Sequence, residues 1–256
     1  MQVRRVQTSE DAWRAYPCAT ESPTPFWAGG LSLSRAWFAE NLGRHIEGFH
    51  LEDDNGNAIG HIYWAPSSQV LVPYEIEDGV AYIYCDWVQY SHRGKGGMRL
   101  LFQGLVEFLR SQDYKGILVD GTEYEGYMHY RHFLNRGFQV IGESDGGKLL
   151  YYPLSQPSVM VRPIAARIPR EAGAEVDVLI IGSLFCPVGA SAVLAIRKVA
   201  REFGERVRVR EVPASRDVVA QYGIADGIFV NGQPKFFGPV KEEQVRQAIK
   251  EELTGQ

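Results

Sequence analysis

The chain has 256 residues, of which 45% are hydrophobic and 23% are charged, and its formal net charge is -4. At about 100 to 200 residues per domain, this length corresponds to one large or two modest domains. A charge balance so close to neutral gives no support for binding to nucleic acid or to an anionic membrane surface. No run reaches the about 18 apolar residues of a membrane span, and no apolar signal core opens the sequence. We therefore expect a cytoplasmic protein without nucleic-acid or membrane partners.

The three cysteines, Cys18, Cys85 and Cys186, lie far apart in the sequence and form no C-x-x-C pair. This spacing predicts neither a disulfide framework nor a zinc site. It agrees with a reducing compartment, and no bound metal is expected.

The N-terminal segments alternate between strand-like and helix-like patterns. Val3 to Gln7 has the pattern of a short strand, and Ala36 to Ile46 presents a helical face. The segment Asp54-Asn55-Gly56-Asn57 predicts a tight hairpin turn, because Asn-Gly favours the positive φ angles that such a turn requires. The returning strand runs from Ile59 to Trp64.

A glycine-rich loop follows the next strand-like run, Ala81 to Gln89. Its sequence is Arg93-Gly94-Lys95-Gly96-Gly97-Met98, and the amphipathic run Leu100 to Leu109 comes directly after it. Glycines let the backbone approach a ligand, and the first N–H groups of a helix favour an anion. Arg93 and Lys95 add positive charge. The pattern predicts a phosphate-binding loop, with an ordinary strand-to-helix connection as the structural alternative.

The remaining segments complete an α+β unit over residues 1–155. Ile117 to Val119 is typical of a buried strand, and a helix is predicted from Gly126 to Asn135. A closing strand pair follows, from Phe138 to Gly142 and from Leu149 to Tyr152. Residues 156–175, which contain Pro157, Pro163 and Pro169, are predicted to be a linker.

Residues 176–256 have the predicted order β-α-β-α-β-β-α, which indicates a smaller α/β domain. Val176 to Ile181 is typical of a buried strand, and Ala190 to Phe203 has a helical pattern. Two further strands are predicted around Asn231-Gly232, and Lys241 to Leu253 has the pattern of a final amphipathic helix.

The first domain resembles the GNAT acyltransferase family in the order of its elements and in its glycine loop. The family signature R/Q-x-x-G-x-G/A is matched at Arg93 and Gly96, whereas Met98 stands where a small residue is usual. The resemblance implies that acetyl-CoA is a co-substrate, with its pyrophosphate on the backbone of the loop formed by Arg93, Gly94, Lys95, Gly96, Gly97 and Met98. It also implies that the backbone of Trp87, Val88 and Gln89 lies beside the pantetheine arm.

The same resemblance bears on the catalytic acid and base. The family's tyrosine, four residues before a Gly-Phe pair, protonates the departing thiolate, but Phe133 occupies the matching position here. Tyr130, with Tyr127 and His132 as alternatives, is the expected substitute, unless these aromatic residues serve packing alone. Acetyl transfer to an amine also needs a base. The candidates are Asp86, Glu123 and Glu125, each with a solvated or capping carboxylate as its alternative role.

The second domain resembles a thioredoxin-type fold, because Phe185-Cys186-Pro187-Val188-Gly189 stands where redox members carry C-P-x-C. Gly189 replaces the second cysteine, and Asp226-Gly227-Ile228 replaces the usual cis-proline. Cys186 begins a helix, where the dipole predicts some thiolate character. A GNAT domain followed by such a domain is the arrangement of the YoaP-type acetyltransferases, which this chain resembles.

Three functions follow as hypotheses. The first is an acetyl-CoA-dependent N-acyltransferase that transfers the acetyl group directly to an amine of a small molecule. The second is a thiol-responsive protein that acts through Cys186, and the third is a non-catalytic CoA-binding module. The sequence leaves open the acceptor, the acyl chain and whether the chain forms a homodimer.

Overall fold

The computed structural model describes residues 1–144, 146–168, 173–182, 184–236 and 238–255. The chain divides into two compact units. The first consists of Met1–Glu21, Ala39–Val70 and Glu75–Arg162, and the second of Ser22–Phe38, Leu71–Tyr74 and Pro163–Gln256. Within the described ranges, no helix is long and apolar enough to cross a membrane.

The first unit is built on a mixed seven-stranded sheet with the order β1-β2-β3-β5-β6-β8-β7. Its strands are β1 (Gln2–Arg5), β2 (Glu47–Glu52), β3 (Ala58–Pro66), β5 (Val80–Val88), β6 (Gly116–Thr122), β7 (Gln139–Ser144) and β8 (Gly147–Pro153). A separate two-stranded sheet pairs β4 (Tyr74–Ile76) with β9 (Val161–Pro163). The helices are α1 (Ser9–Ala12), α2 (Leu31–Asn41), α3 (Gly97–Ser111) and α4 (Tyr130–Leu134), of which α2 begins in the second unit.

The hairpin between β2 and β3 forms where the sequence predicts it. Asp53 Oδ1 accepts hydrogen bonds from the N–H groups of Asn55 and Asn57 at 2.9 and 2.8 Å. Gly56 has a φ of +79°, as a turn of this kind requires. The hairpin fixes the register of β3, which in turn pairs with β5.

The second unit contains a four-stranded sheet with the order β11-β10-β12-β13. Its strands are β10 (Val176–Ile181), β11 (Val207–Val212), β12 (Gly227–Val230) and β13 (Gln233–Pro234), and its helices are α5 (Pro187–Ala200), α6 (Arg216–Tyr222) and α7 (Glu242–Thr254). β11 is parallel to β10, whereas β12 is antiparallel to it. The order of elements is therefore the predicted β-α-β-α-β-β-α. Apolar side chains of β10, α5 and α7 form one core cluster.

Two predicted elements differ from the structure. The helix predicted from Gly126 to Asn135 is only Tyr130–Leu134, because Gly126 and Met128 adopt φ angles of +87° and +42° that a helix excludes. The predicted linker, residues 156–175, contains the strand β9, and its residues 169–172, including Pro169, lie outside the described residues.

Candidate functional site

Strands β5 and β6 separate at their carboxyl ends. They pair in parallel from Val80–Gly116 to Ile83–Val119 and no further. Beyond that point β5 continues to Val88 against β3, and β6 continues to Thr122 against β8. We call the separated residues, 84–88 of β5 and 120–122 of β6, the strand fork.

A β-bulge marks the start of the fork. Tyr63 of β3 is opposite Cys85 of β5, but its neighbour Trp64 is opposite Ile83, so Tyr84 is an extra residue in β5. A bulge bends its strand and re-aims the side chains that follow. The bulge thus turns residues 84–88 away from the line that β5 follows beside β6.

The glycine loop lies at the end of the β5 arm of the fork. Gly94 and Gly96 have φ angles of +74° and +81°, which explains the glycines at both positions. The N–H of Leu100 donates to the carbonyl of Gly96 at 3.1 Å, which is the first turn of α3. The N–H groups of the three preceding residues have no partner within a helix by its geometry and are directed at the loop.

The cationic side chains of the loop are held by the residues that precede it. Arg93 Nε donates to the carbonyl of Val88 at 3.0 Å, and its guanidinium carbon lies 3.8 Å from the centre of the Tyr90 ring. Lys95 Nζ donates to the carbonyl of Ser91 at 3.1 Å. Together with the dipole of α3, these charges fit a polyphosphate group such as the pyrophosphate of CoA.

Gly97 and Met98 differ from the other loop residues. Gly97 is the first residue of α3 and is buried, and a Cβ there would lie 2.5 Å from Leu51 Cδ2. A larger residue at this position would therefore force Leu51 to shift. Met98 is half-buried as the second residue of α3. A backbone N–H at that position is available whatever the side chain, so Met98 is compatible with a phosphate-binding loop.

Trp87, Val88 and Gln89 form the distal end of the β5 arm. Trp87 and Val88 pair with β3 at His61 and Gly60, so the opposite edge of β5 faces the fork. Trp87 Nε1 donates to Glu21 Oε1 at 2.6 Å, and Gln89 Nε2 donates to the carbonyl of Pro17 at 3.0 Å. These side-chain contacts with the segment before α2 help to fix the arm.

Asp86 and Arg136 form an ion pair at the fork. Arg136 Nη1 donates to Asp86 Oδ2 at 2.6 Å, and the Asp86 side chain is 7% exposed. Asp86 is in the β5 arm, while Arg136 follows α4. The predicted base is therefore already paired with a cation.

The model of the acetyltransferase (GNAT) family matches residues 6–138. The chain belongs to the GNAT acetyltransferase family. The match includes the hairpin, the strand fork, the glycine loop and α4. The chain is therefore an acetyltransferase, and acetyl-CoA is its co-substrate. A search of curated protein sequences gave no significant match.

Solved GNAT structures resemble the chain at low sequence identity. A putative acetyltransferase of the family from Desulfovibrio desulfuricans is 16% identical with a TM-score of 0.44, covering 64% of this chain and 98% of its own. YhbS from Escherichia coli, solved with CoA, is 16% identical with a TM-score of 0.44, and the match covers 59% of this chain and 80% of YhbS. A GNAT family acetyltransferase from Brucella melitensis, solved with acetyl-CoA, is 23% identical with a TM-score of 0.40, and the match covers 62% of this chain and 93% of the Brucella chain.

The other predicted acid and base residues of this GNAT enzyme lie beyond the β6 arm. Glu123 and Glu125 are exposed, and the N–H of Glu123 donates to the carbonyl of Gly146 at 3.1 Å. Tyr130 is half-buried at the first position of α4, and Arg131 Nε donates to its hydroxyl at 3.3 Å. Tyr130 also packs on Gly121, where a Cβ would lie 2.7 Å from Tyr130 Cα.

His129 lies beside these residues and was not predicted from the sequence. It is the N-cap of α4 and is 6% exposed. Its Nδ1 accepts a hydrogen bond from the N–H of Arg131 at 3.2 Å, which leaves the proton of a neutral ring on Nε2. That nitrogen is 3.6 Å from Glu125 Oε1. A histidine N-cap has no strong sequence signal, since Ser, Thr, Asp and Asn dominate this position.

Cys85 is buried at the fork, on the side of β5 that faces His61. His61 Nε2 lies 3.4 Å from Cys85 Sγ, and the His61 ring stacks on Tyr63 with centroids 4.1 Å apart. Burial lowers the pKa of His61 well below 6.5, with a further contribution from the nearby charge of His50. The imidazole is thus neutral at physiological pH, and the pair lacks the imidazolium that activates a catalytic thiolate.

Cys186 lies at the N-cap of α5 in the second unit. Burial of its thiol raises the pKa to about 11, and the charge of Asp226 raises it further, against hydrogen bonds from the N–H groups of Val188 and Gly189. The expectation of thiolate character at this helix end is therefore wrong. Burial outweighs the helix dipole here.

The helix that follows Cys186 contacts the segment Phe26–Gly30, which belongs to the same unit. A Cβ on Gly30 would lie 2.3 Å from the carbonyl oxygen of Pro187 and 2.4 Å from the nitrogen of Ser191. Trp37 packs edge-on against Phe185, with ring centroids 5.8 Å apart. The first turn of α5 is therefore covered by the chain that precedes and begins α2.

Proposed function

We propose that this GNAT enzyme is an N-acetyltransferase that transfers the acetyl group of acetyl-CoA directly to an amine of a small molecule. The observation that carries the proposal is the strand fork with the glycine loop at the end of its β5 arm. A ligand with a polyphosphate and a long arm can be anchored at the loop by Arg93 and by the N–H groups of α3. Its arm can then run along the open edge of β5.

The donor site comprises the residues predicted from the sequence. Arg93, Lys95 and the backbone from Gly94 to Met98 hold the pyrophosphate, and the backbone of Trp87, Val88 and Gln89 contacts the pantetheine arm. An arm that runs from the loop back along β5 brings the thioester towards Asp86 and the bulge at Tyr84. Gly94 and Gly96 have no atom that a Cβ would meet within 3.4 Å, so the loop leaves space for a close ligand.

The acceptor amine must lose a proton before or during attack on the thioester. Glu123 follows the β6 arm and remains our candidate for accepting it, with Glu125 as the alternative, whereas Tyr130 is a candidate only for donating a proton to the departing thiolate. Glu123 is exposed, which permits proton exchange with solvent through water. Asp86 remains a candidate by position alone, since one of its carboxylate oxygens is already bonded to Arg136. A pH profile of kcat/KM that loses its acidic limb in Glu123→Gln would support Glu123, and an unchanged limb would exclude it.

We propose that the second unit is a thioredoxin-like domain with a binding or structural role, as in the YoaP-type acetyltransferases. Support comes from the strand order β11-β10-β12-β13 and from the position of Cys186 at the start of the helix after the first strand. The alternative, a thiol-responsive function of Cys186, is opposed by a pKa of about 11 and by the covering segment Phe26–Gly30.

Calorimetry with acetyl-CoA tests the donor site. We expect micromolar to millimolar binding to the wild-type protein and its loss in Gly96→Asn, because the added side chain fills the loop. Asparagine tolerates a positive φ, so the backbone cost is small. Gly56→Asn is the matched control, since Gly56 has a similar φ of +79° in the hairpin turn. Equal binding by both variants would disprove the assignment of the loop.

Turnover with a panel of amines tests the reaction itself. Release of free CoA that requires both acetyl-CoA and an amine is the expected result. Binding of acetyl-CoA without amine-dependent release of CoA across the panel would favour a non-catalytic CoA-binding module.

A further inference from the structure

A guanidinium reaches the strand fork from the side of α4. Arg136 follows that helix, and its Nη1 lies 2.6 Å from Asp86 Oδ2 on the β5 arm. Asp86 comes two residues after the bulge residue Tyr84 and directly before Trp87. The guanidinium of Arg136 is therefore fixed beside the part of β5 that the thioester of acetyl-CoA approaches in the proposed donor site.

The surroundings of this cation are apolar. The Arg136 guanidinium carbon lies 5.1 Å from the centre of the Phe133 ring and 6.0 Å from that of Phe102. Phe133 is completely buried and Phe102 is 8% exposed, while the Arg136 side chain itself is 20% exposed. Because the local dielectric is low in such surroundings, a charge there acts on a nearby ligand more strongly than a surface charge.

The ion pair uses only part of the donor capacity of Arg136. A guanidinium has five N–H donors in a planar fork, and the described contact with Asp86 uses one nitrogen. The carboxylate fixes the orientation of the guanidinium, so its other face can accept a second anion without reorganisation. Asp86 is then a positioning residue.

The proposed reaction generates an anion at the sulfur of CoA, which the proposed donor site has beside Asp86. When the amine nitrogen forms its bond to the thioester carbon, the C–S bond breaks and its electron pair remains on the sulfur of CoA. The amine proton leaves to the base or to water. Phe133 has no hydroxyl with which to protonate the sulfur, and a guanidinium does not give up a proton at physiological pH.

We propose that Arg136, oriented by Asp86, stabilises the departing CoA thiolate by its charge and hydrogen bonds, in place of a proton donor. The inference rests on the proposed function, because it uses the position of the donor along β5. A thiol resembling that of cysteine has a pKa of about 8.5, so a nearby cation is sufficient to make the thiolate the stable product near neutral pH.

The pKa of the CoA thiol, measured in complex with the protein, tests this inference. The thiolate absorbs in the ultraviolet, and the complex with desulfo-CoA is the blank that removes the signal of the protein. We expect the pKa of bound CoA to be at least about one unit below that of free CoA in the wild-type protein. Arg136→Lys should retain part of the shift, and Arg136→Gln should abolish it. Arg110→Gln, at an exposed site near the end of α3, is the matched control and should retain the full shift.

The outcomes separate the inference from the function on which it rests. If the wild-type protein binds CoA with an unshifted thiol pKa, the inference is wrong and the proposed function stands. If CoA does not bind at all, both are wrong. The wild-type measurement decides even where Arg136→Gln does not fold. In a folded variant we expect kcat to fall by about 100-fold to 1,000-fold with little change in the Kd of CoA; a change in stability alone would indicate a merely structural ion pair.

Discussion

Leu51 of β2 packs against the space that a side chain on Gly97 would occupy. The distance from an added Cβ to Leu51 Cδ2 would be 2.5 Å, well inside van der Waals contact. Gly97 is also buried and has no positive φ angle. The third glycine of the loop therefore joins α3 to the sheet, whereas Gly94 and Gly96 allow the positive φ angles of the loop that we propose to bind the pyrophosphate. One glycine-rich segment thus serves two purposes.

Gly97→Ala is expected to destabilise the protein by about 1 to 3 kcal/mol, the usual cost of overpacking a core. Leu51→Ala alone should also destabilise, but the double variant should lose less than the sum of the two, because the new methyl group fills the space that leucine leaves. Denaturant unfolding measures all three. Gly142→Ala, where a Cβ would make ordinary contacts at 3.9 Å, is the control and should change stability by no more than about 0.5 kcal/mol. Strict additivity at Gly97 and Leu51 would contradict the packing argument.

The ion pair at the fork should couple two residues that are 50 positions apart in the sequence. Asp86→Asn leaves the partly buried guanidinium of Arg136 without its carboxylate, and we expect a loss of about 1 to 3 kcal/mol of stability. Arg136→Gln in addition should recover part of that loss. Lys148→Gln breaks the exposed pair with Glu143 and is the control, with a clearly smaller effect. Equally small losses of stability in Asp86→Asn and Lys148→Gln would show that burial does not strengthen the ion pair at Asp86.

Local signals account for the elements that the sequence predicts correctly. Asn55-Gly56 and Asn231-Gly232 each specify a turn by backbone preference alone, and both turns are present. The helix predicted from Gly126 begins only at Tyr130, because Gly126 and Met128 adopt positive φ angles. A glycine such as Gly126 is itself a signal against helix at that position.

Other features depend on contacts distant in sequence, which a single sequence does not contain. The ion pair of Asp86 and the burial of Cys186 belong to this class. The inclusion of Ser22–Phe38 in the second unit also depends on distant contacts, because Gly30 fits against the first turn of α5. The glycine loop was predictable because its residues are contiguous. The strand fork was not predicted from the sequence, since the separation of two strands has no local motif.

His61 should make the stability of the protein depend on pH in the acidic range. Burial lowers the pKa of His61 well below 6.5 in the folded state, so the unfolded chain binds a proton first as pH falls. The contribution of His61 to the free energy of unfolding is therefore complete above pH 6.5 and is lost progressively as the pH falls below 6.5. If His61 stays neutral in the folded state throughout this range, the free energy of unfolding falls by about 1.4 kcal/mol between pH 7.5 and pH 5.5. Denaturant unfolding across this range should show a smaller loss for His61→Phe than for the wild-type protein, and parallel pH profiles would contradict the assignment.

Cys186 should react slowly with alkylating reagents until the pH is strongly alkaline. Its thiol has a pKa of about 11, so the nucleophilic thiolate is scarce at neutral pH. Peptide-level mass spectrometry after timed exposure to iodoacetamide separates Cys186 from Cys18 and Cys85. We expect the rate at Cys186 to rise up to a midpoint near pH 11, and a midpoint near that of an ordinary thiol would refute the burial argument. Because the folded pKa is raised above the ordinary value of 9.0, the unfolded chain loses this proton first, and stability should decline as pH rises above 9.

The segment Phe26–Gly30 provides a matched pair of variants for the same thiol. Gly30→Ala introduces a methyl group that would meet backbone atoms of Pro187 and Ser191 at 2.3 and 2.4 Å, so the segment must move away from the first turn of α5. Gly29→Ala adds the same group where no atom lies within 4 Å. We expect faster alkylation of Cys186 in Gly30→Ala, because water then reaches the thiol and its pKa falls towards 9.0. Gly29→Ala should match the wild-type protein. Equal rates in both variants would mean that the burial of Cys186 comes from the helix and the sheet of its own fold, without the covering segment.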